Sequence, residues 1–473
     1  MTINKEGLKS TLHQYVAITS VLIVLAMTML DGTVVNVALP ILAKEFNVTD
    51  SNAVWIVTVY QLIITCLILP LSSLGDIYSY RRNYIIGIAV FTVGSALCAV
   101  SWNFEMIIVS RTLQGIGAAE AMGVNVALVR LIYPPQYLGR GLAVNTMVIA
   151  IASAAGPSLA GAILSVTTWN WLFLINVPFG IIAFIMAYRY LPQNPPKDHQ
   201  VKFDWLSGLA NIVVFGTIFY ALGNFSNSHE LFTNILLLVC GLVAGVFYIR
   251  HLRGHSDPML PLDLLHSKLY SLSIITYTAS FIAQNIALIA LPFLFLNGFG
   301  FSELVTGLLM TPWPLATMIV SPFVARFVEK HNPGATAAFG MLLYAAGLVL
   351  LMLEPVNGAV EWDIAWRMAL CGCGFGIFQT PNATVMISAT PVSRSGAAGG
   401  FQSTARLGGQ TLGASIVTLV FAWMSKPTDA GSISNGAPGV HVSLLIALVL
   451  SIIAAIFSIS RFKAVSKPKT KMT

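Results

Sequence analysis

The chain has 473 residues, of which 56% are hydrophobic and only 9% charged, with a mean hydropathy of +0.80; a soluble domain carries about a quarter charged residues. That balance excludes a soluble enzyme and describes an integral membrane protein. The net charge of +7 does not point to nucleic acid, because much of the excess sits in the tail "RFKAVSKPKTKMT", which reads as topology and anionic-lipid signal.

A bilayer core of about 30 Å needs about 20 apolar residues per helix. On that measure the predicted elements, in chain order, are fourteen spans near 15–40, 53–75, 83–101, 106–129, 141–166, 172–191, 205–223, 232–250, 270–296, 304–326, 334–353, 364–386, 398–424 and 440–460. Helices are expected because the runs lack the alternation of a membrane barrel. No small-residue cleavage site follows the first span, so it is expected to be retained. With both termini inside, the inner segments collect nearly all the basic residues, while the outer ones collect Lys44, Arg367 and Lys426; this is the positive-inside asymmetry. The longest polar connections, near 192–204 and 251–269, are too short for a separate catalytic domain. The five cysteines fall in apolar runs without zinc or disulfide spacing.

"GIGAAEAMGVN" from Gly115 overlays "GFGIFQTPNAT" from Gly374, setting Glu120 opposite Gln379, and "AAGPSLAG" overlays "RLGGQTLG", relating Gly156 to Gly409. Both pairs of spans keep their membrane direction, so the reading is a parallel repeat. The organisation expected is a six-helix bundle over 1–191, a linker with two extra spans over 192–268, and a second six-helix bundle with the tail over 269–473.

Only Asp31 and Glu120 among the carboxylates lie well inside spans, and Arg111 and Arg406 among the basic residues. Each such charge costs about 2.5–3.5 kcal/mol to insert, so it is read as paired or functional. Asp31 and Arg111 fall at depths that permit pairing, with Gln114 and Asn125 on the Arg111 face. Glu120, nine residues beyond Arg111, lies half a turn away at about 100° per residue. Trp55, Tyr60, Gln61, Tyr277, Gln284, Asn285, Trp313 and Gln379 are candidate pocket residues, read otherwise as packing. Asp76 with Arg81 and Arg82 is a candidate ionic latch, read otherwise as topology charge. No transmembrane histidine relay, GxSxG or HExxH is present, so neither an enzyme nor a metal site is expected.

These motifs resemble the major facilitator superfamily, in particular its fourteen-span drug:proton antiporter family. "LDGTVVNVALP" is similar to that family's first-span signature, "SSLGDIYSYRR" to the loop after span 2, Arg111 with "QGIG" to the span 4 motif, and "AGPSLAG" to the antiporter motif of span 5; "WNWLFLINVPFG" and "FDWLSG" also fit. Departures are Ser72, Ser79, Ile77 and Tyr80 in the loop motif and Ala152 and Ala160 in the antiporter motif; Glu120 belongs to no family motif.

The resemblance implies an all-helical alternating-access exporter of the bacterial inner membrane, with both termini cytoplasmic. It implies multidrug efflux, and so drug resistance, driven by the proton gradient without a cofactor. Asp31 would couple protons to a hydrophobic or cationic small molecule, Arg111 would tune it, and Glu120 is a candidate second acid. Asp76 and Arg81 would form the inner latch, and Gly156, Pro157 and Gly161 would shape span 5. The partners expected are substrate, protons and membrane lipid, with no nucleic acid, and the protein is expected to be a monomer. The alternatives are an exporter of a polar metabolite, amino acid or siderophore, which an arginine facing the cavity would favour, and a channel or receptor.

Overall fold

The computed structural model describes residues 5–133, 138–193, 203–224, 231–252, 262–328, 331–355, 359–388, 395–424 and 437–465. Among the described residues the regular structure is helical, with no strand. The first bundle comprises α1 (Lys5–Glu45), α2 (Asp50–Ile77), α3 (Tyr80–Ala99), α4 (Phe104–Ile132), α5 (Leu138–Val166) and a sixth crossing split into α6 (Asn170–Leu174) and α7 (Asn176–Tyr190). Two further helices follow, α8 (Trp205–Gly223) and α9 (Leu231–Leu252). The second bundle comprises α10 (Lys268–Phe293), a tenth crossing split into α11 (Glu303–Met310) and α12 (Pro312–Val328), α13 (Pro333–Met352), α14 (Glu361–Ser388), α15 (Ser395–Met424) and α16 (Ala437–Val465).

Thirteen of these crossings are long and apolar enough to span a bilayer. The fourteenth, α14, is long enough at 28 residues but starts on Glu361, Asp363 and Arg367. Capping fixes where several helices begin: the side chains of Thr49, Ser79, Asn103, Ser267 and Ser302 each accept a backbone N–H from the first turn that follows. Proline marks the breaks. Pro312 starts α12, where a missing N–H costs nothing, and Pro292 precedes a π-turn over Leu294–Gly298.

The helices alternate direction, so the start of α1 and the end of α16 lie on one face, here called the termini face; the opposite end is the distal face. α8 and α9 pack on each other, and α8 lies across α2 and α15, along one seam between the bundles. Toward the distal face, one core takes in both bundles: Val34–Leu42 of α1, Val54 and Val57 of α2, Ala283–Phe293 of α10 and Val417–Phe421 of α15. Toward the termini face the cores separate. Ala17–Val24 pack with Tyr84, Leu128 and Ala187 in the first bundle, while Tyr270, Tyr277, Phe375 and Met386 pack together in the second. The α2–α15 seam stays joined through Tyr60, Ile64, Ile68 and Leu407, and α5 keeps contact with α12.

The two bundles repeat one packing scheme, in a register that differs from the sequence overlay. A Cβ on Gly115 would meet the Tyr60 carbonyl and Ile63, and one on Gly372 the Trp313 carbonyl. Gly117 abuts Gly87 and Phe91 just as Gly374 abuts Gly340 and Tyr344, and Gly94 abuts Gln114 just as Gly347 abuts Cys371. Gly115 therefore corresponds to Gly372 rather than Gly374, and Glu120 to Ile377 rather than Gln379. The slip arises because "GCGFG" alternates glycine, so the Gly-x-Gly pattern fits two registers.

Candidate functional site

The centre of the first bundle holds a buried ion pair. Arg111 on α4 donates from Nη1 to Asp31 Oδ2 on α1 at 2.5 Å, and both side chains have zero exposure. The pairing expected from their depths in the sequence is present. Gln114, one turn along α4, accepts from Arg111 Nη1 at 2.6 Å and donates to Asp31 Oδ1 at 2.8 Å and to Ser95 of α3. Arg111 Nε donates to the Ile56 carbonyl of α2 at 3.0 Å. Its guanidinium lies over Tyr60 at 4.1 Å and near Phe173 at 5.6 Å, contacts in which the ring quadrupole favours the cation.

Sequence reasoning passed over two groups in this network, Ser95 and Asn176. Asn176 donates to Asp31 Oδ1 at 3.3 Å from the point where the sixth crossing breaks between α6 and α7. The signal was present in "INVPFG", where an amide sits in an apolar span two residues before a proline.

Removing two charges from water costs several kcal/mol per ion, and apolar residues of similar volume often pack at least as stably. The second bundle illustrates this. Its register sets Met368 opposite Arg111, Cys371 opposite Gln114 and Trp313 opposite Tyr60, and all three are buried. The same helix packing is thus achieved without an ion pair, so packing alone does not call for Asp31 and Arg111.

The other candidates fall into groups. Asn285 of α10 donates to Gln61 of α2 at 3.3 Å and to the Gln410 carbonyl of α15 at 2.6 Å, joining three helices where the bundles meet. Tyr277 lies close to Gln379, Gln402 and Arg406. Gln284 is half-buried on α10. Trp55 packs against Tyr220 with the rings tilted at 53° and lies close to Gly223, so it faces α8 and not the space between the bundles. Trp313 is 1% exposed and packs on Tyr344. Asn125 is buried on α4 with no partner for Oδ1.

Glu120 is not brought to Asp31. It sits beside Gly87 at the α3–α4 contact, buried and without a hydrogen-bond or ion-pair partner among the described residues. At the termini face, Asp76 accepts a hydrogen bond from Tyr80 at 2.5 Å, while Arg81 donates to the Tyr188 carbonyl of α7. Among the described residues no ion pair joins Asp76 to Arg81 or Arg82 in this arrangement. Tyr80, one of the departures from the loop motif, takes up the carboxylate instead.

Gly156, Pro157 and Gly161 make the close approaches of α5. Any Cβ on Gly156 would overlap Thr33 of α1, and one on Gly161 would come within 2.7 Å of the Glu303 carbonyl and 3.1 Å of Gly307 Cα on α11. Ser158 bonds Thr311 at 2.6 Å beside this contact. The antiporter motif therefore closes the distal half of the seam opposite α8. Nearby on the distal face, Arg367 is held by Glu354 and Asp363.

Two bundles closed at one face, parting toward the other, with a charged network buried in one bundle, define a polytopic membrane transporter. The sequence matches the Major Facilitator Superfamily over residues 21–414 and 273–471, and the chain belongs to that family. It is 43% identical over 446 residues to the uncharacterized transporter YebQ of Escherichia coli K12, covering 94% of this chain and 95% of that one. It is 29% identical to the multidrug resistance protein Stp of Mycobacterium tuberculosis, covering 86% of this chain and 75% of that one. A bacterial homologue of the lysosomal transporter Spinster shares the fold, with a TM-score of 0.69 at 13% identity over 95% of this chain and 97% of that one.

Proposed function

We propose that this protein is a proton-driven exporter of aromatic, lipophilic small molecules, working by alternating access in the bacterial inner membrane with its termini in the cytoplasm. The observation that carries the reading is the ion pair of Asp31 and Arg111, buried where the second bundle has Met368 in place of Arg111. A charge pair that packing does not require is best explained by a reaction that uses it, and the one available to a carboxylate in hydrocarbon is binding and releasing a proton. Protonation of Asp31 would cancel its attraction for Arg111 and free Gln114 and Asn176, which reach the same carboxylate from α4 and α7. The network joins α1, α4 and α7 and also touches α2 and α3, so its rearrangement would act on the packing of the whole first bundle.

In the arrangement described, the distal face is closed by the shared core and the α5–α11 contact, and the bundles part toward the termini face. With basic residues concentrated on that face, this is the state that would take up substrate from the cytoplasm. Tyr277 against Phe281 at 4.7 Å and Phe281 against Phe375 at 5.2 Å form a buried aromatic cluster in the second bundle. The likeness to Stp, a multidrug resistance protein by name, supports the export of such compounds.

The test is dye movement in proteoliposomes under an imposed pH gradient. Accumulation of an aromatic dye that stops when the gradient is collapsed supports the reading. Equilibration of the dye without accumulation above its gradient would make the protein a passive carrier.

A further inference from the structure

The charge open to a ligand in this structure differs from the charge that is sealed. Asp31 has no exposed side-chain surface, and its oxygens are taken by Arg111, Gln114 and Asn176. Arg406 on α15 is half-buried and has no carboxylate partner among the described residues.

The contacts of α15 fix the direction in which Arg406 points. Gly409 and Gly413 abut the Thr278 and Ile282 carbonyls of α10, Thr411 bonds Thr65 of α2 at 3.1 Å, and Gly408 faces Phe219 of α8. At about 100° per residue, Arg406 lies opposite Gly408 and between the faces turned to α10 and α2. Since α8 lies on the outer seam, the side opposite it is the space between the two bundles.

The surroundings of Arg406 there are those of a recognition site. One turn toward the distal face, Gln410, Asn285 and Gln61 close the space with the hydrogen bonds that join the bundles. Beside Arg406, Gln379 and Gln402 lie close to the buried Tyr277. An unpaired guanidinium in a low-dielectric cleft is costly to keep unless a ligand supplies the countercharge. Its planar donor set matches a carboxylate, sulfonate or phosphate bidentately.

We propose that Arg406, with Tyr277, Gln379 and Gln402, forms an anion-recognition subsite in the second bundle, and that the substrates of this transporter are aromatic compounds carrying an acidic group. The proposal deepens the exporter reading and rests on it. It assigns the two charged centres separate tasks, with the proton handled at Asp31 in one bundle and the substrate's negative charge met at Arg406 in the other. A cationic substrate would find no accessible carboxylate at Asp31 in this state and would be repelled by Arg406.

The experiment compares fluorescein, an aromatic anion, with ethidium, an aromatic cation, in proteoliposomes under the same imposed pH gradient, for wild type, Arg406→Lys and Arg406→Gln. The expected result is saturable fluorescein transport by wild type and at least a tenfold rise in KM for Arg406→Gln. Arg406→Lys should recover most of the affinity, because it keeps the charge. A purely structural Arg406 would instead lower kcat for both dyes alike. Gradient-driven movement of ethidium alone, or of fluorescein with the same KM in Arg406→Gln as in wild type, overturns the anion subsite and leaves the exporter reading standing. Movement of neither dye by a preparation whose melting transition is intact overturns both.

Discussion

At the residue scale, Asp31 and Arg111 bury a full pair of charges that the repeated fold does not need. Asp31→Asn leaves Arg111 buried without its counter-ion, a loss of about 3–5 kcal/mol. That variant is expected to melt well below wild type in detergent and to lose accumulation. Adding Arg111→Met, which copies Met368 at the corresponding place, should restore the melting temperature and leave accumulation absent. Recovery of both together would mean the pair serves stability alone. Glu120 lies across α4 from this network, beside Gly87, so Glu120→Gln should leave the number of protons moved per substrate unchanged; a measured change in that ratio by reversal potential would place it in the coupling path. The pair was legible in the sequence because charges in apolar spans are few and their depths can be counted. Asn176 and Ser95 were not, since an amide or hydroxyl in a span raises no alarm until the fold shows what it faces.

At the scale of the element, helices and their order were legible from hydropathy and charge, whereas the register between the bundles was not. Gly372, Gly374 and Gly376 offer two equal matches to Gly115 and Gly117, and only the helices they meet choose between them. The α5–α11 contact is the element most exposed to test. A leucine at Gly161 would drive its Cβ into the Glu303 backbone, which cannot give way as a side chain would. Gly161→Leu should therefore part the distal seam and speed severalfold the labelling of a Ser158→Cys reporter from the distal face; unchanged labelling would show that the seam is not the closure. The start of α8 has a pH signature. Burial raises the Asp204 carboxyl more than any other single influence, but the Ser207 hydroxyl and amide and His251 together more than offset this and hold it below its usual value. The stabilisation is therefore complete above the usual carboxylate range and is lost as pH falls through the lowered value. Amide exchange in the first turn of α8 should rise between about pH 5 and pH 3 relative to Asp204→Asn; identical profiles would remove Asp204 from the account.

For the whole molecule, what matters is that the cores are joined at one face and separate at the other. A transporter of this form needs a bistable closure and an event that biases it, since a ligand with equal affinity for both states shifts nothing. In the reading proposed above, protonation of Asp31 is that event and the Arg406 subsite receives the cargo. Composition made the membrane protein legible and the charge census made the buried Asp31–Arg111 pair legible. The direction of Arg406 was not, because it depends on where α8 packs, and no pattern in the sequence of α15 records that neighbour. The most direct test separates coupling from carriage in one variant. Reconstituted Asp31→Asn should exchange labelled for unlabelled substrate across the membrane with no gradient applied, yet fail to accumulate substrate when a pH gradient is imposed. If Asp31→Asn accumulates substrate against its gradient as wild type does, the proton is handled elsewhere and the central claim is wrong.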